Sequence, residues 1–314
     1  MNEIDVLAAG VNVVDVFVRV PEQVLLGEKH EVQELIVQGG GPAATAACVL
    51  ASLGWRTGFI TRMGDNPFSV IARDDLRRHG VLSDFFIPDA AASPVVAVVQ
   101  ADPRTGERTI LYTRENYHVL EAADVPLEAV RRSRIVLVDG YEPEAALVIL
   151  EAASKAGRRS VIDVEIGDRD SADRLIALST DCILPLIAAR ALTGEETPEA
   201  ALHRLAQRTS AQLIVTDGTR GSWALLPEGI LHQPAIAVDT VDSTGCGDAF
   251  HGAYAAALLD DLALRLRMEF AAWVAAQVAL KLGGRTNLPT RDSIRKGDLS
   301  MLSPGLRAHL LKPS

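Results

Sequence analysis

The sequence is poor in cysteine, in aromatic residues and in basic residues relative to acidic ones. Its three cysteines, Cys48, Cys182 and Cys246, show neither a disulfide framework nor zinc-binding spacing, which indicates a reducing cytosol. The net charge of −10 argues against nucleic-acid binding, since such proteins carry basic surfaces. No apolar run reaches the length of a membrane span, and the acidic start M-N-E-I-D-V is unlike a signal peptide. We therefore expect a cytoplasmic protein that binds neither nucleic acid nor membranes.

The 314 residues, of which 48% are apolar and 23% charged, are typical of one globular domain. Short apolar runs alternate with helical stretches along most of the chain. Such alternation predicts an α/β fold in which helices cover both faces of a mostly parallel sheet. Ligands of these sheets bind at the carboxyl ends of the strands. Predicted strands cover residues 4–9, 55–64, 134–139, 159–164, 180–184 and 212–216, and predicted helices cover 144–156, 172–178 and 198–209.

Two segments, at residues 13–38 and 93–115, do not follow this alternation. Both contain short stretches in which apolar and polar residues roughly alternate, which is typical of exposed antiparallel strands. In the second segment, D-P-R-T-G at 102–106 predicts a hairpin turn. We therefore expect one domain, residues 1–314, with two β insertions.

Small residues and glycines lead into an alanine-rich stretch within residues 239–257. Gly245 and Gly247 precede a predicted buried helix, whose N-terminus offers unpaired N–H groups and partial positive charge. Phosphate is the usual occupant of such a site. Asp248 at the helix start can accept a proton beside a bound anion, and this combination suits phosphoryl transfer to an alcohol. The alternative is that Asp248 only caps the helix and that the glycines only form a turn.

The run D-S-T-G-C-G-D at 242–248, followed by Phe250, resembles the signature of the ribokinase-like (PfkB) carbohydrate kinases. That signature reads D-T-x-G-A-G-D and precedes an aromatic residue and an alanine-rich helix. Ser243 is a small departure from it, and Cys246, where Ala or Ser is usual, is a larger one.

Two further segments carry the same resemblance. The run G-G-G-P-A-A-T-A-A at 39–47 is similar to the family's N-terminal signature, and T-D-G-T-R-G at 216–221 is similar to its nucleotide loop. The likeness extends from Gly10 to Gly284. Within the family, sulfofructose kinase and fructokinase-like members look nearest, because they share the run at 39–47, F-H-G-A at 250–253 and G-G-R at 283–285.

The resemblance implies a ribokinase-like three-layer α/β/α sandwich, with a mostly parallel central sheet and a small β-sheet lid. It implies an ATP-dependent kinase that transfers the γ-phosphoryl group to a primary hydroxyl of a ketose or related sugar derivative. The lid's outer face often mediates dimerisation in this family, so we expect a homodimer. The implied base is Asp248, and the implied anion hole is Gly245, Cys246 and Gly247. The implied ATP contacts are Thr216, Gly218, Arg220, Gly221, Gly245, Gly247, Gly283 and Gly284.

The implied sugar contacts begin with Asp15, whose carboxylate can accept hydrogen bonds from two vicinal hydroxyls. Thr45 stands where the family usually has Asn. Lys29 matches one of the positions that sulfofructose kinases use for the sulfonate. Tyr112 and Tyr141 stand where the other two positions would have Asn and Arg, so a sulfonated substrate is not assigned. The implied set is Asp15, Asn12, Lys29, Gly39, Gly40, Gly41, Thr45, Tyr112 and Tyr141.

Magnesium is the expected metal, because it bridges the phosphates of ATP in kinases. The family's N-x-x-E motif, which is linked to magnesium, is absent, and P-L-I-A at 185–188 occupies its place. Asp163 or Glu165 could hold the ion instead. Some relatives bind potassium near the residues that match Asp242 and Thr244.

Three further expectations follow. Cys246 at a helix N-terminus predicts a thiol with a lowered pKa and raised reactivity. A nucleoside kinase of the same fold is one alternative; it would need an aromatic base pocket, and aromatics are only 4% of the chain, with none obvious near Asp15. A sugar or nucleotide sensor without catalysis is the other; the missing N-x-x-E motif and Cys246 favour it, while the intact Asp248 disfavours it.

Overall fold

A computed structural model describes residues 4–312, except 22, 23, 26, 33, 102–107, 166 and 167. The strands are β1 (Val6–Ala9), β2 (Val13–Arg19), β3 (Leu35–Gly40), β4 (Thr57–Met63), β5 (Phe86–Pro88), β6 (Val95–Ala101), β7 (Arg108–Thr113), β8 (Ile135–Asp139), β9 (Arg159–Asp163), β10 (Asp181–Pro185), β11 (Gln212–Thr216), β12 (Ser222–Leu226) and β13 (Gly229–Gln233). The helices are α1 (Pro42–Ser52), α2 (Pro67–Arg78), α3 (Leu127–Arg132), α4 (Pro143–Lys155), α5 (Arg169–Leu178), α6 (Leu186–Thr193), α7 (Pro198–Leu205), α8 (Cys246–Leu259), α9 (Leu264–Val278), α10 (Arg291–Lys296) and α11 (Pro304–Leu310). In this part of the chain, no helix is long and apolar enough to cross a membrane.

The main sheet has nine strands in the order β13-β12-β11-β10-β9-β8-β1-β4-β5. The strands from β11 to β5 pair in parallel, while β12 and β13 add an antiparallel edge. The central strands are buried along their length because helices cover both faces of the sheet. The predicted α/β class is therefore confirmed. The antiparallel edge formed by β12 and β13 was not predicted.

Helices α1 and α8 pack on the same face of the main sheet, and small residues bring their backbones into contact. A Cβ atom on Gly252 of α8 would lie 2.6 Å from the carbonyl oxygen of Ala46 in α1. Only glycine fits at this crossing, since any side chain would collide with backbone. Both helices begin with a glycine-rich loop at the carboxyl edge of the sheet, so the packing fixes one loop against the other.

Four strands outside the main sheet, in the order β3-β2-β6-β7, form a separate small sheet, the lid sheet. Pairs β2–β3 and β6–β7 are antiparallel as predicted, and the two pairs join through parallel pairing of β2 with β6, on which the sequence analysis makes no prediction. The reason is topological: β2 follows β1 and β6 follows β5, and both leave the same edge of a parallel sheet. The predicted turn at 102–106 lies outside the described residues.

The lid sheet has an apolar face that is exposed and a second face that carries Asp15. The register pairs Asp15 with Gln38 and Ala97, and Ala97 with Tyr112, so Asp15 and Tyr112 share one face. On the opposite face, Val37, Val16, Val98 and Leu111 form a cross-strand row, and the two residues at its ends, Val37 and Leu111, are exposed.

A buried arginine joins the lid sheet to the helices beneath it. The guanidinium of Arg285 forms an ion pair with Asp75 of α2 at 2.9 Å, and its two side chains are only 1% and 4% exposed. It also donates to the hydroxyl of Thr45 in α1 at 3.0 Å and to the carbonyl oxygen of Gly40 in β3 at 2.8 Å. Its backbone N–H donates to the Gln38 amide oxygen at 3.1 Å. We call this cluster the Arg285 clasp.

Replacing Asp75 should destabilise the protein strongly, because Asp75→Ala leaves the Arg285 charge buried without its partner. We expect the free energy of unfolding, measured by urea titration, to fall by about 3–5 kcal/mol. The control is Glu151→Ala, which breaks the exposed Glu151–Lys155 pair and should cost at most about 1 kcal/mol. Equal effects of the two changes would contradict a structural role for the clasp.

Candidate active site

The loop before α8 is held in shape by one buried carboxylate. Asp242 accepts hydrogen bonds from the N–H and hydroxyl of Thr244, at 2.9 and 2.7 Å, and from the N–H of Gly283 at 2.8 Å. Gly245 has a positive φ of 77° and is the residue before α8. A Cβ on it would lie 2.6 Å from the Cα of Gly284. Gly283 and Gly284, which were predicted as ATP contacts, therefore contact this loop, Gly283 through Asp242 and Gly284 through Gly245.

The first turn of α8 provides the anion-binding groups that the sequence predicts. Cys246 donates its N–H to the carbonyl of Ser243 at 3.4 Å. The N–H groups of Gly247 and Asp248 precede any acceptor within the helix, and no described residue accepts from them. Gly247 is exposed, so this partial positive charge faces open space.

Asp248 is half-buried in that first turn, and both an acid and several basic side chains lie near it. Burial, followed by the nearby Glu165 carboxylate, raises the pKa of Asp248 to about 6. The positive charges of Arg108 and Arg285, together with His251, oppose the rise. A carboxyl group with this pKa is ionised at neutral pH and is a stronger proton acceptor than an ordinary Asp.

His251 lies one helical turn after Asp248 and was not predicted as a site residue. Its ring is buried, with Nδ1 2.8 Å from the carbonyl of Gly247 and 3.4 Å from the Asp163 carboxylate. Nε2 is 3.2 Å from the carbonyl of Ile183 in β10. Burial lowers the pKa of His251. The ring therefore connects the start of α8 to β9 and β10. Its spacing of three residues from Asp248, which places both on one face of the helix, is the sequence signal that could have identified it as a site residue.

Two further acids lie at the end of β9, close to Asp248. Asp163 is buried, and its Oδ1 has no hydrogen-bond partner among the described residues. Burial, then the charges of Glu165 and Asp248, raise the pKa of Asp163 well above its ordinary value. Glu165 accepts a hydrogen bond of 2.6 Å from the hydroxyl of Tyr141. In the described ranges, no group of three or more His, Cys, Asp or Glu side chains could hold a metal ion.

A cavity of about 810 Å³ opens beside the glycine loop. It brings together four of the predicted ATP contacts, and the rest of its wall is largely apolar. Arg220 pairs instead with Asp217 through its side chain. The lining residues are Arg108, Ile110, Thr216, Gly218, Thr219, Gly221, Ser222, Ala235, Ile236, Val238, Thr240, Ser243, Cys246, Gly247, Phe250, Ala272, Ala275, Ala276 and Ala279.

Two of the predicted sugar contacts, Asn12 and Asp15, lie where β1 passes into β2. Asn12 is 2% exposed, and neither its amide nitrogen nor its amide oxygen has a partner within the described residues. Burial, only partly opposed by Arg285, raises the pKa of Asp15 to about 6. A Cβ on Gly40 would collide with the Asp15 carboxylate, so the glycine leaves room for it. Polar groups buried without partners are rare and mark a place for a polar ligand.

The remaining predicted sugar contacts differ in their surroundings. Thr45 belongs to the Arg285 clasp, where its hydroxyl accepts from the arginine. Gly39 donates its N–H to Asp75 at 3.2 Å, and Gly41 is the residue before α1, with φ 95°. Lys29 lies exposed between β2 and β3. The guanidinium of Arg114 lies 5.9 Å above the ring of Tyr141.

The predicted low pKa of Cys246 is wrong. Burial, followed by the Asp242 charge, raises the pKa of this thiol to about 12, and Arg108 opposes the rise only in part. A helix N-terminus contributes about 0.3–1 kcal/mol towards an anion, which is less than the cost of burying one beside a carboxylate.

Cys246 should therefore react slowly with iodoacetamide at pH 7.5, about 100-fold or more below a free thiol. Cys48 and Cys182 are fully buried, so labelling of the native protein reports on Cys246. Intact mass measured against time checks this, with the urea-unfolded protein as the reference. ATP should slow the reaction further, because Cys246 lines the cavity. Rapid labelling at pH 7.5 would contradict the raised pKa.

Comparison with known proteins supports the geometry. The sequence profile of the pfkB family carbohydrate kinases matches residues 5–291. Fructokinase of Klebsiella pneumoniae is 30% identical over 279 residues, covering 82% of this chain and 91% of the relative. ATP-dependent ribose-1-phosphate kinase of Halopiger xanaduensis is 29% identical over 292 residues, covering 92% and 96%.

Solved structures share the fold over the whole length of the chain. A crystal structure of a candidate ribokinase from Agrobacterium tumefaciens has a TM-score of 0.85 and 26% identity, covering 99% of this chain and 100% of that one. Arabidopsis thaliana ribokinase in complex with ribose and ATP has a TM-score of 0.79 and 23% identity, covering 100% of both chains. The predicted ribokinase-like sandwich with a small separate sheet is thereby confirmed.

Proposed function

The chain belongs to the pfkB family of carbohydrate kinases, and from that premise we propose that it transfers the γ-phosphoryl group of ATP to a primary hydroxyl of a ketose or related sugar derivative. ATP-dependent phosphotransfer is the activity of the family. The observation that supports the finer proposal is Asp248, a half-buried carboxylate with a pKa of about 6 in the same helical turn as unpaired amides. The first turn of α8 thus combines a proton acceptor and an anion-binding site.

In the proposed reaction, ATP occupies the cavity beside Thr216–Gly221 of the nucleotide loop, with its γ-phosphoryl group at the amides of Gly247 and Asp248. The sugar is held by Asp15 and by the Asn12 amide, which has no partner in the described part of the chain. Asp248 accepts the hydroxyl proton as the sugar oxygen bonds to phosphorus, and the bond to the bridging oxygen breaks to release ADP. The amides stabilise the negative charge on the transferred group.

The acids of β9 fit a magnesium ion that is held mainly by phosphate and water. Asp163 has a buried oxygen without a partner among the described residues, and Glu165 lies two residues further along. Mg²⁺ usually keeps several waters and uses one or two carboxylates, so a larger protein cage is unnecessary. When bound, it would neutralise charge on the phosphates. The Asp242 carboxylate is already satisfied by Thr244 and Gly283, so we derive no step from potassium.

A nucleoside is the second candidate acceptor, and one observation favours it. The aromatic residue nearest to Asp15 in the sequence, Phe17, is buried, but the sheet register places the exposed Tyr112 on the same lid face as Asp15, two strands away. An exposed tyrosine at that position could stack on a base. We retain the sugar as the first candidate, because Asp15 and Asn12 are suited to hydroxyl groups.

A panel of ketoses, aldonates and nucleosides, assayed for phosphorylation with ATP, tests the proposal. We expect a ketose or sugar derivative to be turned over, and Asp248→Asn to lower its kcat by about 100-fold or more while the Kd for ATP stays within about threefold. Near-normal turnover by the variant would remove Asp248 from the role of base. Turnover of nucleosides alone would favour the second candidate.

The pH profile gives an independent check of the same role. A base must be deprotonated, so kcat at saturating substrates, where titration of Asp15 in the free enzyme does not contribute, should fall about tenfold per pH unit below about pH 6 and be constant above it. With an ordinary Asp as the base, kcat would stay unchanged down to about pH 4. The residual activity of Asp248→Asn should lack this limb.

We further propose that two copies associate through the apolar face of the lid sheet, in a cytoplasmic homodimer of single-domain chains. The exposed Val37 and Leu111 at the ends of the row support this, since exposed apolar sheet faces mark interaction sites. Leu111→Lys should shift the mass measured by light scattering from dimer to monomer. Leu127→Lys, at an exposed leucine of α3, is the matched control and should leave the dimer intact. An unchanged dimer in Leu111→Lys would exclude this face.

A further inference from the structure

We propose that Arg108 of the lid sheet binds the phosphoryl group during its transfer, so that the lid supplies part of the phosphoryl-transfer site. The inference rests on the proposed phosphotransferase function and adds a residue to it. It arises from four observations: a contact between the lid sheet and the glycine loop, the charge of the cavity wall, the occupation of the neighbouring arginines, and the direction of strand β7.

Arg108 connects two separate parts of the fold. It is the first residue of β7, and its Nη1 donates to the hydroxyl of Ser243 at 3.1 Å. Ser243 belongs to the loop that leads to the amides of Gly247 and Asp248. A guanidinium has five N–H donors in one plane, so this contact is compatible with further bonds to phosphate oxygens. The arginine is thus held over the loop where the phosphoryl group would lie.

Arg108 is also the source of charge in the nucleotide cavity. Of the described residues that line it, Arg108 alone carries a formal charge. Its positive charge reaches Asp248, whose pKa it lowers, and Cys246. A triphosphate carries several negative charges, and kinases neutralise the developing charge with cations as well as amides. The cavity wall therefore offers one candidate side chain for that task.

The other nearby arginines have structural partners. Arg285 is buried and paired with Asp75 in the clasp, and Arg220 pairs with Asp217. The carboxylates of Asp163 and Glu165 add negative charge on the side of the loop that faces β9. An anion entering this region therefore needs compensation from a cation that is not already committed to a structural ion pair.

Strand β7 extends from the nucleotide to the sugar. Arg108, Ile110 and Tyr112 alternate along it and so share one face. Ile110 lines the cavity together with Arg108, and Tyr112 is in the cross-strand row of Asp15. One edge strand thus presents a charged, an apolar and an aromatic side chain to the two substrates.

In the proposed step, the sugar oxygen forms a bond to the γ-phosphorus and loses its proton to Asp248. The bond between the γ-phosphorus and the β,γ-bridging oxygen breaks, and ADP leaves with that electron pair. Arg108 donates hydrogen bonds to the oxygens of the transferring group, in which negative charge is spread. Its planar fork suits phosphate better than a lysine ammonium.

The test compares Arg108→Gln, Arg108→Lys and Arg19→Gln with the wild type, using the best acceptor from the panel. Arg19 is an exposed arginine on β2 of the same sheet that does not line the cavity, so it controls for loss of charge from the lid. We expect Arg108→Gln to lower kcat at saturating substrates about 100-fold or more, with the KM of the acceptor within about threefold. Arg108→Lys should restore only part of the loss, and Arg19→Gln should change kcat less than about threefold.

A binding measurement separates charge stabilisation from a purely mechanical contact. Wild-type protein should bind ADP with aluminium fluoride, a mimic of the transferring group, more tightly than ADP alone, and Arg108→Gln should abolish that difference. Ser243→Ala removes the contact to the loop but keeps the guanidinium. If it matches Arg108→Gln in kcat while both retain tight aluminium fluoride binding, Arg108 only holds the lid and the inference is wrong.

Three other outcomes are decisive. A raised acceptor KM with unchanged kcat in Arg108→Gln would assign the arginine to sugar recognition and overturn the inference. If the wild type neither phosphorylates any member of the panel nor binds ADP, the proposed function fails, whereas an active wild type with an equally active Arg108→Gln refutes this inference alone. Melting temperatures of all variants should agree within a few degrees, because Arg108 is exposed.

Discussion

The buried ion pair between Arg285 and Asp75 is the interaction that holds together the elements around both proposed substrate sites. Arg285 also bonds to Gly40, whose missing side chain makes room for Asp15. One residue before it, Gly284 packs against Gly245 at the start of α8. A single residue is therefore connected to the proposed sugar site through β3 and to the proposed phosphoryl site through its own loop. A solvent-exposed pair could not fix these positions, since water would compete with it.

Crowding of acids gives the site its chemistry. Burial is the largest cause of the raised pKa values of Asp248 and Asp163, and their repulsion from each other and from Glu165 adds to it. The protein gains a carboxylate that is basic enough to accept a proton near neutral pH. The same surroundings keep the Cys246 thiol protonated although a helix N-terminus favours its anion. Desolvation and neighbouring charge together outweigh the dipole at this position.

Much of the architecture could be predicted because it depends on local pattern. The alternation of strands and helices and the glycine loop before Asp248 are both visible in short windows of sequence. Contacts between distant parts of the chain were not predictable in this way. Arg285 meets Asp75 across 210 positions, and Arg108 meets Ser243 across 135. His251 could have been found from its helical spacing to Asp248, but its partner Asp163 lies on strand β9, far away in the sequence.

The backbone contact between Gly252 and Ala46 has a consequence for how this enzyme can diversify. Because α1 and α8 touch there without intervening side chains, the two loops at their N-termini are fixed relative to each other. Enlarging either helix at the crossing would displace both loops together and disturb every acceptor equally. New substrate preferences must therefore arise on the lid sheet, whose side chains can be exchanged without moving the two loops.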